Sequence, residues 1–156
     1  MIAFASESVD QSLVEGEAMV RAQWEEVALH KDRIELAPDY DQYRKLEAAG
    51  KLLICTARDD GKLVGYNAYF VHRGIHYSKN IVATNDVFYI APEYRLRVAT
   101  GRVLIAAALL EYAEEKLKAL GVSVISLHIK VRKDWSGLAE KLGYARVEYV
   151  NQKYVG

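Results

Sequence analysis

Apolar positions first recur along the chain at helical spacing. Between residues 10 and 30, Leu13, Val14, Met19, Val20, Trp24, Val27 and Ala28 fall mostly three and four apart, which predicts an amphipathic helix. Pro38-Asp39 opens a second, short helix through Tyr43 and Leu46, and Gly50 stands where a glycine commonly ends one. The period then shortens. Lys51 to Arg58 and Leu63 to about Val71 read as strands, and Asp59-Asp60-Gly61-Lys62 between them is a hairpin signal. After a polar loop containing Gly74, His76 and Tyr77, a third strand covers roughly Ile81 to Ala91.

Beyond Gly101 the helical period returns. Val103, Ala106, Ala107, Leu110, Ala113, Leu117 and Leu120 share one face. Leu104, Ile105, Ala108 and Leu109 make the first half apolar nearly all round, so that half should be deeply buried. Gly121 stops the helix. A β-branched run from Val122 to Val131 reads as a strand, about Asp134 to Leu142 as a short helix, and Tyr144 to Tyr154 as a last strand or strand pair. The order is strand, two helices, three strands, helix, strand, helix, strand. Antiparallel hairpins first and a strand–helix–strand crossover later predict a mixed α/β (α+β) fold, a mixed central sheet with helices on both faces.

Composition narrows the function. A chain of 156 residues without repeats or linkers suits one domain spanning 1–156. Twenty-one basic against twenty-one acidic residues argue against a general nucleic-acid binder. Cys55 is the only cysteine, which excludes an intrachain disulfide and a cysteine-rich zinc cage, and its setting in Leu52-Leu53-Ile54-Cys55 reads as core packing. No metal is expected. Neither a secretory signal nor an uncharged run of membrane-spanning length is visible, so the expectation is a cytoplasmic protein without a membrane partner.

The stretch "PEYRLRVATG", residues 92–101, joins the third strand to the long helix. A helix start offers unpaired backbone N–H groups and partial positive charge, and Arg95, Arg97 and Arg102 would add full charges. Gly101 would let a phosphate approach the backbone. The competing account is a solvated loop whose arginines pair with nearby carboxylates.

"DVFYIAPEYR", Gly101 followed by "RVLI", and the late "LAEKLGY" together resemble the GNAT superfamily of N-acetyltransferases, over nearly the whole chain and most specifically from Gly65 to Tyr144. Within it, the sequence is most similar to small GNAT proteins of bacteriophages and prophages, which would put the protein in the host cytoplasm. The resemblance implies the acyl-CoA N-acyltransferase fold, in which the strand at 84–91 carries a bulge and splays from the strand at 122–131. It implies acetyl-CoA as co-substrate, its pantetheine arm on main-chain groups near Phe88, Tyr89 and Ile90. The pyrophosphate would lie on the loop of Arg95, Leu96, Arg97, Val98, Ala99, Thr100, Gly101 and Arg102. The family loop reads Arg or Gln, two residues, Gly, one residue, then Gly or Ala. Counted from Arg95, the small positions fall on Val98 and Thr100; counted back from Gly101, the arginine position falls on Leu96. The loop is therefore one residue longer than usual or lacks the usual small residues. The fold is compatible with a homodimer, and no apolar stripe marks an interface.

Acetyl transfer to an amine needs a proton acceptor for the nucleophile and stabilisation of the oxyanion and the leaving thiolate. Asp86 is the first candidate base: strand alternation places it with Phe88 and Ile90, and an apolar neighbourhood would raise its proton affinity. The alternative is that Asp86 caps a loop or pairs with a lysine. His128 is the second candidate, on the strand expected across the splay, against the alternative of a sheet residue that is merely hydrogen-bonded. His76 and Tyr77 either line an acceptor pocket or are simply exposed. Trp24 and Glu25 lie on the first helix, which in this family borders the acceptor; the alternative is a core tryptophan beside a solvated glutamate. Many GNAT enzymes carry a tyrosine acid four residues before the glycine of the pair that is Gly143-Tyr144 here, and that position is Ala139. The expectation is an acetyl-CoA-dependent N-acetyltransferase acting on a primary amine of a small molecule or protein; the rival is a non-catalytic acyl-CoA-binding or interaction module.

Overall fold

A computed structural model describes residues 1–156. Strand β1 (Ile2–Ser6) leads into helix α1 (Val9–Val27), then α2 (Tyr40–Ala48), β2 (Leu52–Asp59), β3 (Lys62–Arg73) and β4 (Ile81–Ile90). Two short strands, β5 (Val98–Thr100) and β6 (Val103–Leu104), precede α3 (Ile105–Ala119), β7 (Val122–Ser126) and α4 (Ser136–Lys141). The main sheet runs β1-β2-β3-β4-β7, with its first four strands antiparallel and β7 parallel to β4. This is the mixed sheet that the element order predicts. None of the helices is long and apolar enough to cross a membrane.

Local chemistry explains the element boundaries. Ser8 caps α1 through a reciprocal box: the Gln11 amide donates to Ser8 Oγ at 3.2 Å, and the Ser8 amide donates to Gln11 Oε1 at 2.9 Å. Asp39 caps α2 by accepting from the Gln42 amide at 2.9 Å. The β2–β3 turn holds Asp60 at φ 47° and Gly61 at φ 91°, the two left-handed residues that a tight hairpin requires.

Side chains alternate across β2 and build two cores. Leu53, Cys55 and Ala57 pack with Ile105, Leu109, Ala113 and Leu117 of α3, whose first half is as buried as its composition predicts. Leu52 and Ile54 face the other way, against Val9 and Leu13 of α1 and Tyr43 and Leu46 of α2. Arg58 ties β2 to α1 and to the residues just before it, reaching Glu15 at 2.7 Å and Glu7 at 2.7 Å.

Two irregularities in β4 shape the site. Ala68 of β3 pairs with Val87 and Tyr69 with Asn85, so Asp86 is an extra residue in β4, a bulge. Pairing with β7 ends at Thr84↔Ser126, which leaves β4 from Asn85 to Ile90 without a strand on that side.

Three expectations need correction. The strand from Val122 ends at Ser126 rather than Val131. Tyr144 to Tyr154 forms no strand; Val147, Tyr149 and Val150 are 84, 92 and 71% exposed. Strand propensity there meets no pairing edge, and propensity without a partner does not make a strand. The segment's Tyr154 instead packs near His30, ring centroids 5.9 Å apart. Finally, the long helix starts at Ile105, because β-branched Val98, Thr100 and Val103 pair as a hairpin about Gly101, at φ 55°.

Candidate active site

The bulge decides where Asp86 points. It restarts the alternation of β4, so Asp86 lines the same cavity as its neighbour Val87, while Phe88 and Ile90 pack on the α3 side. The expectation that Asp86 shares a face with Phe88 and Ile90 is therefore wrong by one residue. Asp86 is exposed, and its Oδ2 accepts a hydrogen bond from the Tyr43 hydroxyl at 2.5 Å. Burial and the Asp86 carboxylate both raise the Tyr43 pKa, so Tyr43 stays a neutral donor.

The cavity occupies about 370 Å³ between α1, the segment before α2 and the sheet. Thirteen of its nineteen lining residues are hydrophobic, and Trp24, the sequence-predicted acceptor residue, is among them. Tyr66 also lines it, and its buried hydroxyl has no hydrogen-bond partner. An unsatisfied buried hydroxyl costs about 1–3 kcal/mol. Gly16 sits inside α1 and lines the same space, where an added Cβ would meet no atom within 4 Å. A helix-interior glycine costs about 1 kcal/mol relative to alanine, so the helix gives up stability where the cavity needs room.

On the opposite side of β4, the unpaired edge runs to the start of α3. Ile90, Ala91 and Tyr94 share one core cluster with Ile105, which brings that edge and the helix start together. The α3 N-terminus has no side-chain cap, and first-turn amides have no intrahelical acceptor. Main-chain groups on the β4 edge and the first turn of α3 thus fit an extended ligand ending in an anion. Parts of this surface are already engaged. The Phe88 ring packs on Trp135 with centroids 4.7 Å apart. The Ile90 carbonyl accepts from Arg95 Nε at 3.0 Å, and the Ile105 amide donates to the Arg97 carbonyl at 3.0 Å.

Two of the three loop arginines pair with carboxylates, as the competing account has it. Arg95 reaches Glu26 of α1 at 2.7 Å, lies over the Tyr89 ring, and shares Glu26 with Lys133 at 3.6 Å. Arg97 pairs with Asp59 at 3.3 Å and stacks on Tyr94. The amides of Arg95 and Arg97 donate to the Pro92 and Tyr94 carbonyls. Of residues 95–102, Leu96, Arg97, Val98, Thr100, Gly101 and Arg102 are exposed, and Ala99 packs against the core.

Other predicted residues stand apart. His128 lies beyond the end of β7 and is exposed. His76 and Tyr77 are exposed in the β3–β4 loop and do not line the cavity, and Tyr77 is 73% exposed. Glu25 is paired with Lys31 at 3.0 Å on the outside of α1. Ala139 is buried, and Tyr144 beside it is half-buried with its pKa pushed up to about 12, chiefly by burial. Tyr43, Tyr66 and Gly16 are the site residues that sequence reasoning missed. Only Gly16 left a signal, a glycine interrupting a helical pattern.

The Acetyltransferase (GNAT) family model matches residues 17–144. No curated protein matches the sequence. Among solved structures, an aminoglycoside acetyltransferase from an uncultured soil metagenomic sample superposes with TM-score 0.74 at 19% identity, over 100% of this chain and 99% of that one. A ribosomal-protein-alanine N-acetyltransferase from Brucella melitensis biovar Abortus gives 0.69 at 20% identity, covering 100% of both chains. A predicted acetyltransferase from Clostridium acetobutylicum, solved with acetyl-CoA, gives 0.70 at 14% identity, covering 98% of this chain and 96% of that one. At such identities the likeness establishes the fold. With the family match over most of the chain, a bulged β4 and its parting from β7, this protein belongs to the GNAT family of acetyltransferases.

Proposed function

We propose that the protein is an N-acetyltransferase that uses acetyl-CoA to acetylate a primary amine, with Asp86 as general base. The observation that carries this reading is the carboxylate on the β4 bulge, turned into a ligand-sized cavity where β4 loses its neighbour β7. Acetyl-CoA supplies an activated acetyl thioester, and main-chain groups around Phe88, Tyr89 and Ile90 with the first turn of α3 would hold it. The exposed 98–102 turn, with Arg102, is the flank on which phosphates would rest. Arg95 and Arg97 stay with Glu26 and Asp59 and contribute architecture.

Asp86 takes the proton that the amine must lose before it attacks. Tyr43 holds Oδ2 and leaves Oδ1 for the amine or an intervening water. With Ala139 at the tyrosine position implied by the resemblance, no side chain need protonate the leaving thiolate; a thiol pKa of about 8.5 lets it depart unaided near neutrality.

The buried Ala139 and the Trp135 ring over Phe88 favour one rival, a non-catalytic acyl-CoA-binding module. Thermal stabilisation by acetyl-CoA and by CoA, followed by thiol release on adding amines, separates the two. The enzyme shows stabilisation and amine-dependent thiol release. Stabilisation without release across a broad amine panel supports the module, and no stabilisation by either ligand refutes both.

A further inference from the structure

The cavity beside Asp86 restricts which amine can enter. Its lining includes no lysine, arginine or histidine, so nothing there would neutralise a phosphate or carboxylate on the acceptor. Its carboxylates are Asp86 and, in the exposed segment before α2, Glu35. A polycation entering this space would leave most of its charges against Leu13, Val20, Leu36 and Pro38, at the desolvation cost of unpaired ions. Trp24 and Tyr40 offer flat apolar faces. A volume of about 370 Å³ lies at the small end of ligand sites, which suits a compact apolar body.

One further feature points to an occupant. Gly16 keeps the α1 wall open, since a Cβ added there would meet no atom within 4 Å and Gly16 lines the cavity.

Resting on the acetyltransferase reading, we infer that the acceptor is a compact arylalkyl or alkyl primary monoamine. Its ammonium docks at Asp86, and its apolar body fills the space between Trp24 and the sheet. Asp86 first takes one proton from the docked ammonium and passes it to water; the neutral amine then attacks, the N–C bond forms, the C–S bond breaks, and the second N–H proton ends on the departing CoA thiolate.

The test pairs calorimetry with turnover. Phenethylamine and tryptamine are titrated into the protein with and without CoA, and thiol release is followed for them beside kanamycin, glucosamine 6-phosphate and an Ala-Ala-Ala peptide. The expected result is kcat/KM at least about tenfold higher for the arylalkylamines, in line with the discrimination that pocket fit provides. Gly16→Leu should abolish phenethylamine binding while keeping the parent's acetyl-CoA affinity and at least its melting temperature. A faster reaction with kanamycin, the sugar phosphate or the peptide overturns the inference and leaves the acetyltransferase reading standing. So does undiminished phenethylamine binding by Gly16→Leu, or no phenethylamine binding by the parent under either condition. Failure of acetyl-CoA to bind or of every amine to release thiol is the separate failure of the underlying reading; amine binding that Gly16→Leu blocks would still support the cavity as a monoamine site.

Discussion

Asp86→Asn is the most direct probe of the chemistry. Asparagine keeps the shape of the side chain and an oxygen for the Tyr43 hydroxyl, now at 2.5 Å from Oδ2, while removing the ability to take a proton. Asp86 is exposed and outside both core clusters, so stability should change little. General-base catalysis contributes about 10²–10⁴-fold, equivalent to about 2.7–5.4 kcal/mol of barrier at 1.36 kcal/mol per tenfold. Because water can still accept the proton near an exposed site, the low end applies, and kcat/KM for the amine should fall about 100-fold. Acetyl-CoA affinity by calorimetry should match the parent's. Tyr43→Phe provides the internal control. It deletes a hydrogen bond to a charged group, worth about 1.5–3 kcal/mol when fully used, and should slow turnover less than Asp86→Asn does. If Tyr43 acts through Asp86, adding Tyr43→Phe to Asp86→Asn costs almost nothing further. An Asp86→Asn rate equal to the parent's would show that the base lies elsewhere, and fully additive losses would show that Tyr43 acts on its own.

Three other predictions concern the frame. Gly65→Ala should destabilise by about 1–3 kcal/mol, the usual range for overpacking, because a Cβ there would run into the Ile90 side chain and come within 3.0 Å of the Tyr89 carbonyl; a melting temperature equal to the parent's would contradict the close β3–β4 approach. Cys55 has no exposed surface and burial pushes its thiol up to about 12, so Ellman's reagent at pH 8 should find no thiol in native protein and one after unfolding. The Arg58 guanidinium, aided by Thr56, holds Glu7 below its usual pKa, so its stabilisation is present above about pH 4.3 and is lost as pH falls through the lower folded value. The stability gap between parent and Glu7→Gln should therefore narrow on acidification, and a gap constant from pH 7 to pH 3 would refute the assignment.

Much of the scaffold was legible because its signals are local. Asp39 and Gly50 bracket α2, Asp60-Gly61 makes the β2–β3 turn, and the apolar run from Ile105 is the buried half of α3. What escaped depends on partners distant in sequence. Arg95 looks like a free cation in "PEYRLRVATG", yet its carboxylate lies 69 residues away on α1. Tyr43 and Tyr66 read as ordinary amphipathic and strand residues; only the folded chain brings the first to Asp86 and leaves the second without a partner. Tyr144 to Tyr154 has the composition of a strand and finds no edge to pair with, which no property of the segment itself reveals.

The bulge at Asp86 shows most clearly why the site was harder to read than the fold. Strand alternation has a period of two, so one extra residue reverses every facing assignment on one side of it. Without the bulge, Ile90 and Phe88 in their places on the α3 core would put Asp86 on that same apolar face, where an unpaired carboxylate is costly. With it, the carboxylate turns to the cavity while Phe88 and Ile90 keep their packing. The same irregularity begins where β4 leaves β7, one residue past Thr84↔Ser126. A regular β4 would tend to continue its ladder with β7 and close the edge that the acyl donor needs. On the proposed function, one inserted residue would therefore both aim the carboxylate and open the donor's edge. Deleting Asp86 outright should consequently remove both acetyl-CoA binding and turnover, whereas Asp86→Asn removes turnover alone; a deletion variant that still binds acetyl-CoA like the parent would break the link between bulge and opening.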